Sequence, residues 1–153
     1  MIDIKEARAA NMARLSGSAN YTYVVSGHTI RINSKTNTVG CGVKVGQTQD
    51  FQKRFNQLDK NGNITPHCIF CCESKQDAEV LEAVLRRHYL KMEHAKRNGT
   101  DWIEGIAAKE YSLEHILKDR FIKAILDEIR PIYIMTYKSG KAQKIGVYEE
   151  FSV

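Results

Sequence analysis

The sequence contains no long hydrophobic run. No window approaches the roughly 20 consecutive apolar residues that cross a bilayer, and residues 1 to 6 lack the basic-then-apolar pattern of a secretory signal. Low-complexity segments and composition shifts that would mark a linker are also missing. These absences argue against a membrane or secreted protein and predict a single cytoplasmic domain of 153 residues.

Cysteine is scarce. The four cysteines are Cys41, Cys68, Cys71 and Cys72, and in a reducing compartment such a set favours free thiols over a disulfide framework. Cys68 and Cys71 have a CxxC spacing, but on a strand they point to opposite faces, and no second ligand pair is in view. We therefore predict buried thiols rather than a zinc site.

Positive charge is in moderate excess and is not gathered into a run. The chain has 23 Lys plus Arg against 18 Asp plus Glu, a formal net charge of +5 and a pI near 9.0. Such a balance favours a polyanionic partner. A nucleic acid, DNA or RNA, is the expected partner, and a membrane is not.

Alternating apolar residues predict two strands in the first third of the chain. Tyr21, Tyr23 and Val25 alternate with smaller residues, and a second alternating run extends from Val39 to Val45. A long hairpin is expected between them, with a strand-like piece around residues 30 to 32. Residues 2 to 15 are loosely amphipathic and predict an N-terminal helix.

The later patterns extend this β, β order to β, β, α, β, α. Asp50 is a suitable N-cap for a helix, residues 67 to 72 are apolar enough for a buried strand, and Ser74 with Asp77 has capping-box spacing. The last of these begins a helix whose apolar face runs from Ala78 to Met92. The remaining predicted elements are a break at 98–100, a helix over 113–129 ended by Arg130-Pro131, and a hairpin with strands at 132–137 and 144–151.

These elements predict an α+β fold with a small central, mainly antiparallel sheet flanked by helices. A C-terminal helix and β-hairpin are added to it. We divide the chain into an N-terminal helical arm (1–20), a core (21–105) and a C-terminal extension of the same domain (106–153).

The stretch from Lys44 to Arg54 carries the clearest chemical signal. A strand ends in Gly46, the chain turns, and a helix capped by Asp50 presents Arg54 about one turn in. A glycine lets backbone approach a ligand, an early helix offers free N–H groups, and a guanidinium is a planar fork for two phosphate oxygens. We predict a phosphate site here, with Gly46, Thr48 and Lys53 as binding residues.

This stretch resembles the GIY-YIG nuclease superfamily, in which a strand ending in Tyr-Ile-Gly precedes a helix with an essential Arg. Lys44-Val45-Gly46 stands for Tyr-Ile-Gly, and Arg54 falls eight residues past the glycine. Tyr21-Thr22-Tyr23 is similar to the first, Gly-Ile-Tyr element, with Tyr23 the better candidate for its tyrosine and Tyr21 the second choice. The resemblance covers about Tyr21 to Trp102 and is closest to a phage-encoded branch.

The resemblance also implies a metal-binding glutamate on the following helix, for which we choose Glu82 over Glu79. It implies a sheet of GIY-YIG type and hydrolysis of DNA phosphodiesters with Mg²⁺ or Mn²⁺ on Glu82. Arg54 would stabilise the phosphate, Tyr23 or a water it orients would supply the nucleophile, and Lys44 would place a cation nearby. A homodimer that cuts both strands is possible.

Each of these residues also has a plainer interpretation. Arg54 can be a solvated helix residue, Glu82 and Arg86 can form an i, i+4 surface pair, and the tyrosines can simply pack on a sheet. Two alternative functions follow. One is a catalytically inactive DNA-binding module of the same fold, and the other is a protein-interaction domain.

Overall fold

Strand β1 lies at the centre of one antiparallel sheet. The computed structural model describes residues 20–32, 37–59, 62–98, 102–138 and 141–145. Within them, seven strands pair in the order β4-β5-β2-β1-β3-β6-β7, which confirms the predicted α+β class. The elements are β1 (Asn20–Ile32), β2 (Asn37–Thr48), α1 (Phe51–Asp59), β3 (Gly62–Cys72), α2 (Lys75–Leu90), β4 (Lys96–Asn98), β5 (Trp102–Glu104), a 3₁₀ helix (Ala108–Tyr111), α3 (Leu113–Ile116), α4 (Arg120–Ile129), β6 (Tyr133–Lys138) and β7 (Lys141–Ile145).

Helices cover both faces of the sheet. On one face, here the α2 face, Val24, Val43 and Val45 pack with residues of α2, α3 and α4. On the other, the α1 face, Tyr23 and Val25 pack with Ile69, Trp102 and the apolar side of α1. Because both faces are covered, the consecutive residues Tyr23, Val24 and Val25 of β1 are at most 1% exposed, and an apolar residue can stand at every position of such a stretch.

The capping signals in the sequence lie where the helices begin. The Asp50 carboxylate accepts a hydrogen bond from the Lys53 N–H at the start of α1, at 3.1 Å. The Ser74 hydroxyl accepts one from the Asp77 N–H at the start of α2, at 3.0 Å. Both N-caps are confirmed.

Three predicted boundaries were wrong. The apolar helix α2 ends at Leu90, and a ribbon of two short strands, β4 and β5, follows it. The helix expected over 113–129 is divided, because the Asp119 carboxylate caps a new helix through the N–H groups of Phe121 and Ile122. The terminal hairpin begins its second strand at Lys141 rather than Lys144.

Strand β1 is also longer than predicted. The strand-like piece around residues 30 to 32 continues β1 without interruption, so β1 and β2 pair from Tyr21 with Thr48 to Ile32 with Asn37. The predicted N-terminal helix over residues 2 to 15 and the hairpin strand beyond Ile145 lie outside the described residues.

The C-terminal elements share the sheet and the core of the preceding ones. Strand β6 pairs with β3, and Ile116, Ile122 and Leu126 pack in the same cluster as Leu81 and Leu85 of α2. Replacing a fully buried leucine such as Leu85 with alanine typically costs about 2–5 kcal/mol. No helix in the described ranges has the length and apolar content needed to cross a membrane.

Candidate active site at the end of strand β2

Tyr23 and Gly46 are paired across β1 and β2, and the tyrosine ring lies over the glycine. A Cβ added at Gly46 would stand 2.3 Å from the Tyr23 hydroxyl oxygen and 2.4 Å from Cζ, well inside van der Waals contact. The glycine of Lys44-Val45-Gly46 therefore makes room for the ring of Tyr23. The space that we expected a phosphate to use is filled, on this side, by the tyrosine.

Arg54 completes this group from helix α1. Its Nε donates a hydrogen bond to the Tyr23 hydroxyl at 3.3 Å, and its Nη1 lies 3.5 Å from Oε1 of Gln57. Arg54 is half-buried, whereas Tyr23 is only 1% exposed. Within the set formed by Tyr23, Gly46 and Arg54, the guanidinium is thus the part that is accessible to solvent and to a ligand, and the phenol lies beneath it.

The N–H groups at the start of α1 are less available than expected. The Asp50 side chain takes the Lys53 N–H, its carbonyl takes the Arg54 N–H at 3.0 Å, and its own N–H donates to the Thr48 hydroxyl at 3.2 Å. A phosphate at these groups would also meet the Asp50 carboxylate, and like charges repel. Thr48 thus shapes the turn, and Lys53 is exposed.

Lys44 is placed inside the sheet rather than at its surface. The residue is 4% exposed, and its Nζ lies 5.9 Å from the centre of the Trp102 ring, a cation–π distance. Lys44 and Trp102 are register partners between β2 and β5. The predicted catalytic cation therefore stands on the α1 face, two residues before Gly46, under an indole ring.

Glu82 reaches the same part of β2 from the α2 face. Its Oε1 lies 3.2 Å from Nη2 of Arg86, one helical turn later, which is the ion pair that the surface interpretation expected. The pair also contacts the sheet, because the same Nη2 donates a hydrogen bond to the backbone carbonyl of Val45 at 3.4 Å. Only 16% of the Glu82 side chain is exposed.

Two groups of predicted site residues therefore meet at consecutive residues of β2. On the α1 face, Tyr23 contacts Gly46 and accepts a hydrogen bond from Arg54. On the α2 face, Glu82 pairs with Arg86, which in turn donates a hydrogen bond to the Val45 carbonyl. Among the described residues, β5 pairs with β2 only at Val43 and Lys44. The arginine and the glutamate thus flank an edge of β2 that no described strand covers.

Tyr21, the second choice for the first motif, lies two residues away and belongs to a different group. Its hydroxyl accepts a hydrogen bond from the Tyr133 hydroxyl at 3.3 Å, and both residues pack near the buried Cys71. Burial, together with the bond to Tyr21, raises the pKa of Tyr133. This position favours Tyr23 over Tyr21 as the tyrosine associated with Arg54.

The donors at this edge suit a hard divalent ion better than zinc. No group of three or more His, Cys, Asp or Glu side chains converges anywhere in the described ranges, as a structural zinc site requires. Mg²⁺ needs only one or two carboxylates, because it keeps waters and takes substrate oxygens as further ligands. The single carboxylate of Glu82 fits that requirement.

The three described cysteines, Cys68, Cys71 and Cys72, are buried, and none of them forms a disulfide. Cys68 lies in the core on the α2 face and Cys71 beside Tyr21 and Tyr133 on the other, which confirms that the two thiols point apart. Burial raises the pKa of Cys68 far above its usual range and, with the nearby Cys71 and Asp77, raises the pKa of Cys72 to about 12. These thiols are packing residues.

A group of hydrogen bonds around the Asp119 carboxylate, outside the site, was missed from the sequence. His88, which we took for a packing residue, is buried as expected, but its Nδ1 lies 2.8 Å from Oδ2 of Asp119, and Lys91 Nζ lies 3.1 Å from the same oxygen. Burial alone would raise the pKa of Asp119, yet bonds from His88, the Ile122 N–H, Lys91 and the Phe121 N–H hold it well below its usual range. The signal available in the sequence was Asp119 itself, a favoured N-cap residue inside a stretch that we predicted as one helix.

Comparison with known proteins gave one family match. The model of the T5orf172 domain matches residues 20–127, from the start of β1 into α4. This is a phage-associated domain related to nucleases. The curated proteins gave no match, nor did the solved structures. Since the matched residues make up more than half of the chain, the protein belongs to the T5orf172 domain family.

Proposed function

We propose that this protein is a metal-dependent endonuclease of the GIY-YIG kind that hydrolyses phosphodiester bonds in DNA. The observation that carries the proposal is the grouping of Tyr23, Gly46 and Arg54 on one side of the β2 edge with Glu82 on the other. In this proposal the arginine and the carboxylate act on the same phosphodiester from the two faces of β2, beside its open edge. The basic pI of about 9.0 agrees with a polyanionic substrate.

Arg54 is the phosphate ligand in this proposal. Its guanidinium is half-buried, and its Nε is held by Tyr23, which leaves the outer nitrogens free to turn from Gln57 to a phosphate oxygen. A guanidinium placed where negative charge develops on the phosphate stabilises the transition state without having to reorganise. Glu82 would hold a divalent ion, and that ion would supply positive charge near the leaving oxygen.

Tyr23 acts through Arg54 in this scheme. With 1% of its surface exposed, the phenol meets a substrate only if Arg54 moves aside, and the bond from Nε already uses one of its lone pairs. We therefore propose that Tyr23 orients the Arg54 side chain and that a water molecule is the nucleophile. Lys44 contributes its charge to the same face from beneath Trp102.

The inactive DNA-binding module is the second candidate. The observation in its favour is the burial of Tyr23 and Lys44, because the two groups proposed to assist proton transfer or bind the phosphate are covered. Such a module would keep Arg54 and Lys53 as backbone contacts. It would bind DNA with no need for a metal ion.

Cleavage of supercoiled plasmid tests the proposal. Purified protein is incubated with Mg²⁺, Mn²⁺ or EDTA, and wild type is compared with Arg54→Ala and Glu82→Gln. Arg120→Ala and Glu79→Gln are the matched controls, because Arg120 lies on α4 of the α2 face and Glu79 is exposed on the same helix as Glu82. Folding of every variant is compared by circular dichroism.

The nuclease proposal predicts nicking by wild type with metal only, loss of nicking in Arg54→Ala and Glu82→Gln, and retention in both controls. If Glu79→Gln is silent while Glu82→Gln is active, Glu79 is the metal ligand instead. DNA binding in EDTA without nicking in any metal would assign the binding module. If the protein neither binds nor nicks DNA or RNA, the result would favour the protein-interaction domain.

A further inference from the structure

One nitrogen of Arg86 bridges helix α2 and strand β2. Nη2 lies 3.2 Å from Glu82 Oε1 and 3.4 Å from the Val45 carbonyl oxygen. A terminal guanidinium nitrogen carries two hydrogens, so it can donate to both acceptors at once. The carboxylate proposed to hold a metal ion is therefore already next to a cation, and that cation is fixed to the strand that carries Gly46.

We propose that Arg86 is a placeholder for the metal ion. It holds Glu82 at the β2 edge when no divalent ion is bound, and it must release Oε1 when an ion binds there. The inference rests on the proposed function, because it concerns the same carboxylate. It assigns to Arg86 the role of an internal counter-ion that competes with the metal for Glu82, a role that the resemblance to nucleases did not supply.

The burial of the two side chains supports this role. Glu82 is 16% exposed and Arg86 36% exposed, so the carboxylate is the more deeply placed partner and the arginine lies toward solvent. A carboxylate withdrawn from water without a counter-ion is costly, and Arg86 removes that cost in the metal-free protein. The bond to Val45 also limits where the guanidinium, and with it Glu82, can stand.

Competition gives the inference its measurable consequence. A metal ion that binds Glu82 gains its attraction to the carboxylate but displaces a guanidinium that was attracted already. Ion pairs of this exposure are worth up to about 1 kcal/mol, which corresponds to a change in affinity of up to about fivefold. Removing Arg86 should therefore tighten metal binding about two- to fivefold, whereas mere damage to the site would weaken it.

Binding of Mn²⁺, measured by the loss of the free-ion signal in electron paramagnetic resonance, tests this without DNA. Wild type is compared with Arg86→Gln, Glu82→Gln and the double variant. Arg87→Gln is the matched control, since it removes the same charge from an exposed neighbour on α2. Urea unfolding of each variant verifies that the fold is retained.

The expected result is tighter Mn²⁺ binding in Arg86→Gln, a distinctly smaller change in Arg87→Gln, and no effect of Arg86→Gln once Glu82 is Gln. Unchanged or weaker binding in Arg86→Gln, with wild type still binding at Glu82, overturns the placeholder role and leaves the proposed nuclease intact. If wild type binds no Mn²⁺ at Glu82, both the placeholder and the metal-dependent function fall. Plasmid nicking measured beside the binding separates these cases.

Discussion

The phenol oxygen of Tyr23 accepts a hydrogen bond from Nε of Arg54 at 3.3 Å, while the same ring fills the space above the α-carbon of Gly46. The three residues come from β1, α1 and β2, and each depends on the others for its position. A larger residue at 46 would displace the ring, and a displaced ring would leave the arginine without its acceptor. The glycine and the arginine, which stand eight residues apart in the sequence, are thus linked through a tyrosine from another strand.

Gly46→Ala should destabilise the protein by about 1–3 kcal/mol, as overpacking of a well-packed site usually does. The cause is the 2.3 Å approach of the new Cβ to the Tyr23 hydroxyl. Urea unfolding measures the loss. In a Tyr23→Ala background the same substitution should cost much less, because the ring is gone, and a cycle of the four proteins isolates that coupling. Additive effects of the two substitutions would contradict the contact.

Tyr23→Phe should separate the two roles that the tyrosine can have. The ring stays in place, so stability should change by only about 0.5–1.5 kcal/mol, the usual net contribution of a hydrogen bond. If Tyr23 only orients Arg54, nicking by Tyr23→Phe should fall less than nicking by Arg54→Ala, for which about 100- to 1000-fold is expected by analogy with the loss of one transition-state donor. Equal loss in the two variants would instead make the phenol a direct participant.

Local patterns predicted most of the fold because they act over a few residues. The caps at Asp50 and Ser74 and the alternation of Tyr21, Tyr23 and Val25 each depend on neighbours in the chain, and all three are confirmed. The ribbon of β4 and β5 could not be predicted in this way. Its strands have three residues each, which is too short for a periodic signal.

The contacts of the site residues could not be predicted from the sequence either, because they join residues that are far apart in the chain. The spacing of Glu82 and Arg86 showed that they can pair, but the bond from Arg86 to Val45 joins residues 41 positions apart and depends on how α2 packs across the sheet. The burial of Lys44 under Trp102 likewise follows from the pairing of β2 with β5. The residue types were predictable, and the contacts that decide their roles were not.

The described cysteines should be unreactive in the native protein. Burial raises the pKa of Cys72 to about 12 and that of Cys68 still further, so almost no thiolate is present at pH 8. In a Cys41→Ser variant, Ellman's reagent should react with no thiol before urea is added and with three afterwards. Rapid reaction of any thiol in the folded protein would contradict their burial.

Asp119→Asn should destabilise the protein in a manner that depends on pH. Asn can still cap α4, but it removes the charged acceptor of the bonds from His88 and Lys91, so the substitution should cost about 1–3 kcal/mol near pH 7. Because the folded-state pKa lies below the ordinary value of 3.8, the carboxylate contributes fully only where the unfolded chain is also ionised, above about pH 5. As the pH falls through 3.8 toward the folded pKa, the unfolded state takes up the proton first and the contribution declines. The difference in unfolding free energy between wild type and Asp119→Asn should therefore shrink from pH 5 to pH 3.

Asp127→Asn, which removes an exposed carboxylate from the same helix, is the control, and its difference from wild type should stay within about 0.5 kcal/mol throughout. A difference for Asp119→Asn that does not shrink over this range would contradict the lowered pKa of Asp119, because a carboxylate with the same pKa in the folded and unfolded chains contributes no pH-dependent stability.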